Sequence, residues 1–216
     1  LYLLHNRNII VMNFIEFRTQ LFPLACFNVN QVYVWQPDFN RNNLVRWTSQ
    51  GLIIRLRQGY YTFPEYLRLP DYPYYFANRI YLPSYVSLHT AMASYGIIPE
   101  GVTQITSVTS LKTVSFINPS GTYVYRSVRQ HLMFGYISRP IADGRSLLFA
   151  TPEKAIIDLL YLYPFYNTAR EMEELRLDEY FLHEELNVDL FIEYSSRIKS
   201  RALDKRVKLL LNSYAS

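Results

Sequence analysis

Cysteine occurs once in the 216 residues, at Cys26, which excludes an internal disulfide and any cysteine-rich zinc site and fits a reducing compartment. Four histidines, His5, His89, His131 and His183, fall without HxxxH or HxH spacing, so no metal site is legible. Glycine is also scarce, with seven residues, too few for a phosphate-cradling loop, and no GxSxG elbow, P-loop or GxGxxG occurs. Residues 80–99 carry no Asp, Glu, Lys or Arg. Pro83, Ser84, Ser87, His89, Thr90, Ser94, Gly96 and Pro99 nevertheless make that run too polar to span a bilayer, and it is expected to form a turn followed by a buried helix. The N-terminal residues lack a sustained apolar stretch with a small-residue cleavage site. The expectation is a cytoplasmic protein with no membrane contact, metal or cofactor.

What is abundant is aromatic: 20 Tyr and 13 Phe in a chain that is 50% hydrophobic and 19% charged. Such a chain folds, and its length suits two small domains or one large one. Most of these rings are expected in cores; a tyrosine-rich surface would also suit a protein partner or stacked bases. Charge is unevenly distributed. Residues 1–69 carry +4, residues 70–150 carry +3 and residues 151–216 carry −3, against +4 overall. In the last part an acidic block, residues 171–193, precedes Arg197, Lys199, Arg201, Lys205, Arg206 and Lys208. A solvated helix face is the plainer account of that basic run, and a phosphate-holding helix is the functional one.

Residues 39–63, FNRNNLVRWTSQGLIIRLRQGYYTF, read as a short polar-faced helix running into a tight hairpin. Over residues 39–50, Leu44 and Trp47 lie three apart and can face a core, leaving Arg41, Asn42, Asn43, Arg46 and Gln50 on the remaining faces. Arg, Asn and Gln can make paired hydrogen bonds to base edges in a major groove. Gly51 stops the helix, residues 52–56 suit a strand, Gln58-Gly59 offers a turn, and residues 60–63 return. Arg55 and Arg57 are expected on one face of that hairpin, placed to touch phosphate. A soluble surface helix and two solubilising arginines are the plainer reading. Upstream, residues 27–35 can form a first helix capped by Asn28 or Asn30, and residues 37–40 a short turn. Helix, turn, helix and hairpin in that order form a winged helix-turn-helix.

Residues 1–12 are expected to be a tag remnant or upstream extension, residues 13–66 the winged helix-turn-helix, and residues 74–216 a second domain after a Pro- and Tyr-rich linker over 64–73. In the second domain a helix is predicted near residues 87–95, ended by Gly96. Strands are predicted at 103–109, 112–117, 122–128 and 146–150. In LLFATPEKAIIDLLYLYP, Thr151 caps a helix, Pro152 takes its first position, Glu153 lies in the positive first turn, and Ala155, Ile156, Leu159, Leu160 and Leu162 supply a buried face. The rest reads as helical: an amphipathic segment over 167–180, then two helices over 187–214 broken around 195–200. The fold class is α+β, an N-terminal winged helix-turn-helix followed by a mixed α/β domain and a helical C-terminal tail.

Five strings, LVRWTSQGLIIRLRQGYYTF, ANRIYLPSYVSLHTAMASYGIIPEGV, ITSVTSLKTVSF, GTYVYRSV and LLFATPEKAIIDLLYL, occur in one order within residues 31–163. Together they resemble the AbiEi antitoxin family of bacterial abortive-infection systems. The resemblance implies a transcriptional autorepressor encoded beside a nucleotidyltransferase-like toxin, with a winged helix on operator repeats of double-stranded DNA. It also implies a C-terminal domain that opposes the toxin without a stable complex, the type IV arrangement. By position, DNA contacts would fall on Arg41, Asn42, Asn43 and Arg46 in the helix and on Arg55, Arg57 and Gln58 in the wing.

Two further readings stand beside this one. The winged helix could dock protein as an adaptor, without specific DNA binding. Asp143 with Glu153 and Lys154 could hold a divalent metal in a nuclease, although Glu153 and Lys154 are adjacent rather than one residue apart, and helix capping accounts for both. His89 and His131 are expected to be structural, as are Tyr81, Tyr85 and Tyr95. The leading expectation is a DNA-binding autorepressor and antitoxin with no catalysis of its own. Its oligomeric state is left open.

Overall fold

The computed structural model describes residues 13–214. The proposed extension over residues 1–12 lies outside them. The fold is mixed α+β and divides into two compact units, Leu1–Leu69 and Pro70–Ser216.

In the first unit α1 (Phe14–Leu21) begins where Asn13 Oδ1 accepts a hydrogen bond from the Ile15 N–H at 3.1 Å. A 3-10 turn, Phe22–Leu24, leads to β1 (Cys26–Asn28), α2 (Val29–Trp35), α3 (Asn42–Ser49), β2 (Ile54–Arg57) and β3 (Tyr60–Thr62). The three strands form an antiparallel sheet in the order β1-β3-β2. Phe17 sits at the hub of the core, fully buried, with ring centroids 4.6 Å from Trp47, 5.6 Å from Phe27 and 5.8 Å from Phe39. Aromatic residues from two helices, one strand and the loop before α3 thus bury large faces in a unit of modest size.

Several expected boundaries move for tertiary reasons. The first helix does not begin at residue 27: Phe27 is a strand residue paired with Tyr61, and Asn28 alone forms the cap. Its Oδ1 accepts from the Gln31 N–H at 3.1 Å, while Gln31 Oε1 accepts from the Asn28 N–H at 2.8 Å, a reciprocal capping box. The second helix starts at residue 42 rather than 39, because Phe39 is buried and Asn40 Oδ1 accepts from the Asn42 N–H at 3.0 Å. It ends at Ser49, and Gly51 follows the cap with a φ of 71° that suits glycine. The N–H groups of Leu52 and Ile53 both turn back to the Trp47 carbonyl, which delays the strand to Ile54. The proposed linker over 64–73 is structured: Pro64–Arg68 is a 3-10 turn, and buried Tyr66 donates its hydroxyl to the Phe22 carbonyl at 2.7 Å.

The second unit opens with α4 (Tyr72–Ile80), which starts inside that same expected linker. Then follow β4 (Ser84–Val86), α5 (Leu88–Ser94), β5 (Gln104–Thr109), β6 (Val114–Asn118), β7 (Gly121–Ser127), β8 (Tyr136–Pro140) and β9 (Ser146–Ala150). Helices α6 (Pro152–Leu162), α7 (Ala169–Glu173), α8 (Val188–Ile198) and α9 (Arg201–Ser213) complete it, with a π-helical turn at Phe181–Glu185. The six strands are ordered β6-β7-β5-β4-β9-β8, with β5/β7 and β4/β9 parallel. Two of them were not anticipated. Strand β4, read as a turn, is three residues long and buried on both sides, so it shows no alternation; β8 is an exposed edge strand. The amphipathic helix expected over 167–180 shrinks to α7, with Arg176 at φ 51° beyond its end. The basic run is not one solvated face either. Arg206 is buried and donates from Nε to the Leu160 carbonyl at 2.8 Å.

Candidate nucleic-acid interface

On α3 the core fixes which side faces outward. Leu44 and Trp47 are buried at 0% and 2% exposure, and at about 100° per residue they leave an exposed arc running through Arg41, Val45, Ser49, Asn42, Arg46 and Gln50. Of the residues expected to face outward, Arg41, Asn42, Arg46 and Gln50 do so. Asn43 is half-buried on the flank beside the core. Val45 and Ser49 complete the exposed arc and were not singled out from sequence, although the spacing of Leu44 and Trp47 already puts both opposite the core. The Arg46 guanidinium lies 5.9 Å from the centroid of the Trp47 ring, so an anchored indole supports an otherwise exposed cation.

The hairpin departs from expectation. A bulge in β2 pairs Arg55 with Tyr61 and Arg57 with Tyr60. Cross-strand partners share a face and neighbours along a strand do not, so the two arginines do not share one face. Arg55 and Gln58 are exposed, whereas Arg57 is half-buried.

The second unit contains a polar cluster that the sequence reading passed over. Lys154 Nζ pairs with Asp158 Oδ1 one turn along α6. Asp158 Oδ2 accepts from the Tyr85 hydroxyl at 2.9 Å and the Ser87 hydroxyl at 2.8 Å. The ammonium also lies 4.7 Å from the Phe134 ring centroid and 5.7 Å from that of Tyr85. Burial, then the charge of Asp158 and the hydrogen bond to it, push the Tyr85 hydroxyl well above its ordinary pKa, so it stays a donor. The cluster ties α6 to β4 and the start of α5. Its sequence signal was a Lys and an Asp four apart in an otherwise apolar helix.

The residues of the metal-nuclease reading serve separate partners. Asp143 accepts from the Tyr72 hydroxyl and pairs with Arg145, Glu153 Oε1 accepts from the Asn187 N–H at 3.3 Å, and Lys154 pairs with Asp158. Among the described residues no group of three or more His, Cys, Asp and Glu is placed to hold a metal ion. His89 lines an open groove with Glu100, Tyr166 and Glu174, its ring edge-on to Tyr163 at 5.9 Å, and its imidazole pKa is lowered by burial against an opposing pull from Glu100. Tyr81 and Tyr95 donate to the carbonyls of Lys112 and Ala150. Among the described residues no helix is long and apolar enough to cross a membrane. No protein-family model matches the chain, and no curated protein matches it.

Proposed function

We propose that the first unit is a winged helix-turn-helix that binds double-stranded DNA by sequence, with α3 in the major groove, and that the protein is a cytoplasmic autorepressor. The observation that carries this reading is the exposed arc of α3, where Asn42, Arg46 and Gln50 stand opposite two buried anchors, with a β2–β3 hairpin following directly in the chain. The helix would read base edges. Arg41 and Arg55, both exposed, would neutralise phosphate. The resemblance across residues 31–163 extends the proposal to an antitoxin of the type IV, AbiE-like kind, opposing a nucleotidyltransferase-like toxin without a stable complex.

The test is fluorescence anisotropy on the DNA upstream of the protein's own reading frame, at several salt concentrations, with scrambled duplex as control. Binding that prefers the upstream sequence and weakens steeply with salt supports the proposal. Equal binding to both duplexes, or none, overturns it. The adaptor reading has its own support: Ile15 on α1 and Val34 on α2 are 68% and 85% exposed, apolar side chains that a protein partner would cover. It predicts association that changes little with salt.

A further inference from the structure

Val45 is the one apolar residue of the exposed α3 arc. It is 68% exposed, so it buries little apolar surface, and its β-branched side chain ranks below its neighbours Leu44 and Arg46 in helix propensity. It lies about 60° around the helix from Asn42 and is adjacent in sequence to Arg46, between a side chain suited to adenine and one suited to guanine. Among base edges in the major groove, only thymine offers an apolar group, its 5-methyl. Ile15 and Val34 are exposed too, but on helices that do not enter the groove in the proposed arrangement.

We infer that Val45 is a specificity-determining residue that packs its isopropyl group against the 5-methyl of a thymine, next to the base pairs read by Asn42 and Arg46. This inference rests on the proposal that α3 enters the major groove. It assigns α3 a mixed readout, with hydrogen bonds from Asn42 and Arg46 and an apolar contact from Val45. The preferred site should then contain a thymine that no hydrogen-bonding side chain explains.

The experiment uses the full chain and a duplex recovered from a random-sequence pool by repeated selection for binding. Each thymine of that duplex is replaced in turn by deoxyuridine, which removes the methyl and keeps every hydrogen-bonding group. The expected result is a loss of about 3- to 10-fold at one or two positions, a methyl contact being an apolar contact of modest size. Val45→Ala should weaken binding to the unmodified duplex by a similar factor and lose its sensitivity to deoxyuridine at those positions. Alanine favours the helix, so the variant keeps its fold. A sequence-selective wild type indifferent to deoxyuridine everywhere overturns the inference and leaves the DNA reading intact. So does a Val45→Ala variant with an unchanged deoxyuridine penalty. A selection that converges on no sequence overturns the DNA reading, and this inference with it.

Discussion

Lys154 and Asp158, one turn apart on α6, form an ion pair whose side chains are 0% and 2% exposed, and Tyr85 and Ser87 satisfy the second carboxylate oxygen. Deleting one member of an ion pair removed from water leaves the other charge buried alone. Lys154→Met is expected to destabilise the protein by about 3 to 5 kcal/mol in urea unfolding. Adding Asp158→Asn should recover part of that loss, since the amide oxygen still accepts from Tyr85 and Ser87 and no charge remains. A single variant that costs under about 1 kcal/mol would show that the pair contributes little.

Gly135 approaches this cluster closely. A Cβ there would lie 2.9 Å from the Tyr194 ring and 3.0 Å from the Lys154 stem, at a φ of 70°. Strain and overpacking together should make Gly135→Ala destabilising by about 2 to 5 kcal/mol. Gly144 has a similar φ of 81° but open space around its Cα, so Gly144→Ala should cost only the conformational part, about 1 to 2 kcal/mol. Equal unfolding midpoints for the two variants would contradict the packing argument.

His89 gives stability a pH dependence of known sign. Burial lowers its folded-state pKa below the ordinary 6.5, so between those values the unfolded chain binds more protons. Its contribution is complete above about pH 6.5, is lost as pH falls toward the folded-state pKa, and changes no further below it. Urea midpoints compared just above and below pH 6.5 should fall on acidification, and His89→Gln should flatten that fall. A variant with the wild-type slope would assign the dependence to other groups.

The proposed DNA interface separates two kinds of arginine. Arg46→Ala should weaken binding to the preferred duplex by about 1 to 3 kcal/mol and relax sequence choice. Arg55→Ala should weaken binding to every duplex alike and reduce the salt slope by about 1. Anisotropy titrations on preferred and scrambled duplexes distinguish them, and identical profiles for the two variants would remove the distinction between base and phosphate contacts.

Some features governed by neighbours within one turn were legible in the sequence. Thr151 Oγ1 accepts from the Lys154 N–H and Pro152 follows it at the helix start, as expected, because a cap is chosen by residues three apart. The Asn28 cap, one of the two the sequence offered, and the inward side of α3 at Leu44 and Trp47 are local in the same sense. The tertiary structure decided whatever depends on distant partners. Strand β4 exists because β5 and β9 flank it, and its three residues carry no periodicity of their own. Arg55 and Arg57 lost their common face to a bulge set by pairing with β3. Lys154, Asp158 and Arg206 look solvent-bound as letters in a string. They are buried because Tyr85, Ser87 and the Leu160 carbonyl meet them from 73, 71 and 46 residues away, and only the folded chain brings such groups within hydrogen-bond reach.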